Sequence, residues 1–271
     1  MLRLYTLCFL FLTFTSCSSF FEQEIDNYDL PFTEQLVLYA LLIPQDSLAY
    51  AEVDLLSPAD GEPSEFDAAE ATVILEVNGL TFPFTYESAQ NRFIIDITEL
   101  SLETNTSFNV VATWSNLRAA GSAIIPDQVP EREQLVGNFM VTESDNSVRI
   151  GLTEPSLTVD GYALIHDQLN WRDGEISRRV RSLVDFLPAP PPATDTLFFK
   201  ELTFNRTTVA DEPVNQAFVC YASADFLELQ RSRVQYGSSA ENPFSEVTNI
   251  ASNLSEGFGN VSGLNCLRVT F

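Results

Sequence analysis

Apolar and polar residues alternate through much of this chain, and the alternation marks short strands. Leu36 to Ile43 is an apolar run of buried-strand length; Ala49, Ala51, Val53 and Leu55 then alternate with Tyr50, Glu52 and Asp54. That period of two sends successive side chains to opposite faces of a sheet. After an acidic loop from Ser57 to Asp67, Val73, Leu75 and Val77 lead into Asn78-Gly79, and Leu80, Phe82, Phe84 and Tyr86 follow. Asn-Gly between two alternating runs predicts a hairpin, because both turn positions need positive φ. Pro83 suits an edge strand or a bulge. Phe93, Ile95 and Ile97, then Phe108, Val110, Ala112 and Trp114, then Ala119 to Ile125 continue the pattern. So many short strands predict a mainly β protein whose residues 32–127 form an antiparallel immunoglobulin-like or transthyretin-like sandwich.

Pro126 to Gln134, with two prolines and four charges, reads as a domain boundary. Residues 135–271 then predict a second β-rich domain with one helix. Val148, Ile150 and Leu152 make a strand, as do Tyr162 to His166, Leu197 to Phe204, Ala217 to Tyr221 and Leu264 to Phe271. Asp185 to Thr196 holds Pro188, Pro190, Pro191 and Pro192 and reads as an extended loop. The helix is expected near 225–236, capped by Asp225, with Phe226, Leu229 and Arg233 on one face and Gly237 ending it. Gly257-Phe258-Gly259 reads as a turn.

The first sixteen residues have a different pattern. Arg3 precedes an apolar run from Leu4 to Phe14, and the small residues Thr15 and Ser16 stand directly before Cys17. This is the order of a secretory signal peptide, and the run, at roughly 17 Å as a helix, is too short for a bilayer core of about 30 Å. A cysteine at that point resembles the cleavage site of bacterial lipoproteins, which implies that Cys17 becomes an acylated N-terminus carrying palmitate-type chains. Residues 17–31 form an acidic tether with Glu22, Glu24, Asp26 and Asp29. It resembles the surface-display signal of Bacteroidetes lipoproteins and reads equally as a solvated spacer.

Charge narrows the partners. The chain carries 38 acidic and 14 basic residues, a net charge of −24. Such a surface repels nucleic acid and anionic lipid, so contact with a membrane would run through the covalent lipid. Cys220 and Cys266 remain once Cys8 and Cys17 are assigned to the signal and the lipid. In an oxidising compartment they form either a disulfide or two buried thiols.

The run NPFSEVTNIASNLSEGFG, from Asn242 to Gly259, resembles the signature of a family of Bacteroidetes outer-membrane lipoproteins known as domain of unknown function 4249. The lipid cysteine, the strand-rich first half ending at Ile125-Pro126, the segment Val148 to His166 and the helix before Asn242 fall in that family's order. The resemblance implies a lipid-anchored protein on the cell surface or the periplasmic face of the outer membrane. It also implies a TonB-dependent transporter as partner, and no catalytic residues or cofactor.

Chemistry is sparse. The single histidine, His166, nearly excludes a histidine triad or a multi-histidine zinc site, and no glycine-rich phosphate loop follows a strand. Asp60, Glu62, Glu65 and Asp67 crowd one loop as oxygen donors for calcium, but without EF-hand spacing. Trp171, Arg172, Arg178, Arg179 and Arg181 form a basic, aromatic patch suited to partner binding, or local charge balance for Asp167, Asp173 and Glu175. Asn242, Pro243 and Phe244 join it as partner-binding candidates through the family-like run. Ser47 and Thr196 sit in Asp-Ser-Leu and Asp-Thr-Leu, which resemble the O-glycosylation motif of exported Bacteroidetes proteins. Three functions remain: a non-catalytic transporter accessory, a stand-alone ligand-binding or adhesive surface protein, and a hydrolase with an unrecognised carboxylate pair.

Overall fold

The alternating segments of the first half become eight strands: β1 (Gln35–Leu42), β2 (Leu48–Leu56), β3 (Thr72–Val77), β4 (Leu80–Pro83), β5 (Thr85–Glu87), β6 (Arg92–Asp96), β7 (Ser107–Trp114) and β8 (Leu117–Ile124). The computed structural model describes residues 33–56, 65–100, 102–137, 147–156, 158–172, 175–191, 194–203, 215–240 and 250–270, with backbone alone for 168–172, 175–181, 203, 215 and 236–240. The signal over 1–16, Cys17 and the tether lie outside the described residues.

Strand order defines the architecture. One sheet contains the run β1-β2-β6-β5 and the other the run β8-β7-β3-β4. Lettered in chain order from A to G, with β4 as C′, these are the A-B-E-D and G-F-C-C′ sheets of an immunoglobulin-like sandwich. Leu36, Leu38 and Leu42 of β1 and Ala51 and Val53 of β2 face Val73, Leu75, Phe108, Val110 and Ala119 across the interior. The Asn78-Gly79 hairpin forms as expected, with φ of 53° and 76°. The expected strand from Leu80 to Tyr86 is two. The chain leaves one sheet at Pro83, which has no N–H to donate, and enters the other at Thr85. Between them Phe84 is buried, and its N–H donates to Val73 O at 2.9 Å.

The second half supplies β9 (Leu135–Gly137), β10 (Ser147–Val148), β11 (Ile150–Thr153), β12 (Gly161–Arg172), β13 (Glu175–Pro188), β14 (Thr196–Phe198), β15 (Leu202–Thr203), β16 (Asn215–Ala222), the helix α1 (Ala224–Ala240), β17 (Leu254–Glu256) and β18 (Phe258–Thr270). Residues 185–188, expected in a loop, end β13, which pairs with β12 along its length. The helix starts one residue early and runs past Gly237. Its first turn is capped not by Asp225 but by Ser223 Oγ, which accepts from Phe226 N at 3.4 Å, and by Asp160 Oδ2, which accepts from Ala224 N at 3.0 Å. The turn expected at Gly257 to Gly259 is a crossing: β17 pairs with β8, and β18 pairs in parallel with β1.

That crossing corrects the domain boundary. The long sheet runs β13-β12-β16-β18-β1-β2-β6-β5 without interruption, and Glu34–Phe271 is one compact unit. The two halves do keep separate cores. On β18, Val261 joins the sandwich core, while Val269, eight residues on and on the same face, joins a core with Tyr162, Leu164, Ile150 and Val219. Leu264 and Cys266, on the opposite face, pack with Ala163, Phe218, Phe226 and Leu227 under α1. Nor is Pro126 to Gln134 a free joint. Asn265 Nδ2 on β18 donates to Pro126 O at 2.9 Å, and Gln128 Nε2 to Thr158 Oγ1 at 2.8 Å.

Candidate functional site

The outer face of β1 and β2 is unusual for a face turned from the sandwich core. The alternation that buries Leu38 and Ala51 turns Tyr39 and Tyr50 outward, and α1 lies beside them. Phe226, Leu229, Gln230 and Arg233 recur at helical spacing and form the stripe of α1 that faces this surface. Asn260 of β18 is in register with Tyr39, and Ser262 with Leu41. Together they enclose a groove of about 340 Å³, at the small end of the roughly 300–1,000 Å³ of ligand pockets.

Its electrostatics are local. The Arg92 guanidinium lies 4.3 Å from the Tyr50 ring centroid, and its Nε donates to Glu87 at 2.9 Å. Arg233 lies 5.3 Å from the Tyr39 centroid and, among the described residues, has no carboxylate partner. Glu52 lines the same groove without an ion-pair partner among the described residues. Asn260 is buried, 4% exposed, and its Oδ1 accepts from Ser262 Oγ.

Under α1, Cys220 and Cys266 face each other across β16 and β18 and form a disulfide, with Cα atoms 4.0 Å apart. Their adjacency follows from the strand pairing, which sets them opposite one another. In the second core, Tyr162 Oη donates to Ser156 O at 2.6 Å, and burial holds the phenols of Tyr162 and Tyr221 above their ordinary pKa.

The other sequence candidates are dispersed. Ser47 is exposed in the β1–β2 turn, where its N–H donates to Asp46 Oδ1, and Thr196 is half-buried opposite Thr153. Asp60 and Glu62 lie outside the described residues. Glu65 is exposed, and Asp67 caps a short 3-10 helix by accepting from Ala69 N at 2.9 Å. Among the described residues no group of three acidic, histidine or cysteine side chains is placed to hold a metal ion. Trp171, Arg172, Arg178, Arg179 and Arg181 fall on β12 and β13 by backbone, their side chains outside the description. Asn242, Pro243 and Phe244 are outside it altogether. His166 is buried and not in the groove. Trp114 packs edge-on to Phe66 against the sandwich core rather than lining a binding face.

The described part of the family-like run is tied to its own fold. Asn253 pairs twice with Val261, donating from Nδ2 to O at 2.8 Å and accepting at Oδ1 from N at 2.9 Å. Ser255 Oγ donates to Ala120 O, and Glu256 meets Arg118 at 2.6 Å. These contacts hold β17 and the start of β18 across the sandwich edge.

Strand order thus defines an immunoglobulin-like sandwich extended by a second β-rich half, with a small cleft beside α1. No protein-family model matches the chain, and no curated protein matches it. Among solved structures it is similar to the chicken interferon gamma receptor alpha chain, at 8% identity over 69% of this chain and 88% of that one, with a TM-score of 0.21. The fold assignment rests on strand order and not on that likeness. No helix among the described residues is long and apolar enough to cross a membrane.

Proposed function

We propose that this is an exported, lipid-anchored, non-catalytic protein of the bacterial outer membrane, working beside a TonB-dependent transporter in uptake or envelope assembly. The observation that carries the reading is the pattern over Arg3 to Cys17, a short apolar run closed by small residues and a cysteine. The Cys220–Cys266 bond supports export, since such bonds persist in oxidising compartments. The resemblance of Asn242 to Gly259 to the outer-membrane lipoprotein family supports the transporter as partner.

Cys17→Ser should abolish lipid labelling and shift the protein to the soluble fraction; a variant still in the detergent phase refutes the anchor. Extraction in mild detergent should recover a large barrel protein with the wild type. Recovery of the protein alone at native expression refutes the transporter. One observation favours a second reading, a surface protein that captures ligand by itself: the groove between α1 and the outer face of β1 and β2. The hydrolase reading needs two convergent acids in a pocket; among the described residues the groove is lined by one acid, Glu52, whereas Asp127, Asp160 and Asp225 line a second cavity, where Asp160 is engaged in capping α1.

A further inference from the structure

We infer that α1 is a lid over the Cys220–Cys266 disulfide, and that lifting the helix, with the sheet left intact, is what admits a thiol to the bond. The two cysteines stand opposite each other on β16 and β18, in the interior of the long sheet. They are 0% and 1% exposed. Phe226 and Leu227 of α1 pack onto the face they share, with Leu183 and Phe186 at its margin. Reduction begins when a thiolate reaches one of the two sulfurs. A bond buried in this way is therefore closed to thiols until its cover opens.

Two openings would expose it, and they differ in what they break. Freeing β18 undoes its pairing with both β16 and β1, and withdraws Val261, Val269 and Leu264 from three separate cores. Lifting α1 breaks no strand pairing. It exposes Phe226, Leu227 and Leu229 and undoes the hydrogen bonds from Ala224 N to Asp160 and from Ala251 N to Ser232. Openings that disrupt fewer contacts lie at lower free energy and are the more populated. The helix is then the gate. Through it, a dithiol's first thiolate bonds to one sulfur and releases the other cysteine as a thiolate. The second thiol displaces the mixed disulfide, so that two electrons pass to the protein and the reagent leaves oxidised.

The inference concerns the helix and the bond alone and stands or falls separately from the membrane reading. The test is reduction of the full chain, purified in mild detergent, by dithiothreitol, with Cys220 and Cys266 followed by alkylation and peptide mass mapping. The folded protein should react on the order of a thousandfold more slowly than the chain unfolded in urea, given the apolar side chains that α1 must expose. Leu227→Ala, which loosens the lid, should speed reduction of the folded protein by about thirtyfold. Asp160→Ala only unties the first turn of α1, and should speed it by about fivefold. Gly79→Ala is the control, since it weakens the fold at a turn remote from α1. It should leave the rate within about twofold if the helix lifts alone, against about five- to thirtyfold if the whole fold must open. Equal rates in the folded and unfolded chains, no acceleration in either helix variant, or acceleration by Gly79→Ala to that extent overturns the inference.

Discussion

Gly257 is where the chain crosses between the two sheets, and replacing it by alanine tests whether that crossing holds the halves together. Its φ is +77°, and a Cβ there would lie 2.6 Å from Leu36 O and 2.7 Å from the Ala119 Cβ. Those neighbours belong to different sheets, so neither can yield without moving its strand. Left-handed backbone costs a non-glycine residue about 1–2 kcal/mol, and forcing an extra carbon into a packed site adds about 1–3 kcal/mol. The expected loss is therefore about 3 kcal/mol. For a chain of this size that lowers Tm by about 6–12 °C, readable by circular dichroism or calorimetry. Gly79 provides an internal control, with φ of +76° and nothing within 4 Å of its hypothetical Cβ. Gly79→Ala should show only the backbone part, about 1–2 kcal/mol. Equal losses at the two positions would mean that close approach at the crossing contributes nothing, and would refute the argument.

Replacing both Cys220 and Cys266 by alanine should lower stability by about 4 kcal/mol, the chain-entropy value for a loop closed over 46 residues; urea unfolding indistinguishable from wild type would count against it. Asn265→Leu leaves Pro126 O and the Gln45 amide without their partner. It should cost about 1–3 kcal/mol per group and speed proteolysis between 126 and 134 relative to the wild type. Tyr162 and Tyr221 hold their protons more tightly folded than unfolded, chiefly through burial. Their contribution is complete below the unfolded pKa of 10.0 and is lost as pH rises above it. Tyr162→Phe should flatten that alkaline loss in a pH series of thermal scans.

The sandwich strands could be read from the sequence because each carries its own signal: alternation in β1, β2, β3 and β7, and Asn-Gly between β3 and β4. Long-range pairing has no such local mark. Val37 and Phe258 are parallel partners across the whole length of the fold, and nothing in either segment specifies the other, so a composition break at Pro126 stood in for a boundary that the sheet spans. Strand β13 was obscured by Arg178, Arg179 and Arg181 and by the prolines that follow its end. The groove was half legible. The sequence placed Phe226, Leu229 and Arg233 on one helix face, and Tyr39 and Tyr50 are aromatic at outward positions where polar residues are usual. Asn260 offered no signal, because a polar residue directly after a predicted turn attracts no attention until the segment proves to be a buried strand.

The pairing of β18 with β1 also sets an order of events. As the chain emerges from its N-terminus, residues 35–124 appear first, with the outer edges of β1 and β8 bare until residues 254–270 arrive to cover both. Closing a loop of more than two hundred residues is slow compared with forming any local hairpin. A chain held unfolded would stay pliable until β18 is available, and lock only when that strand pairs with β1.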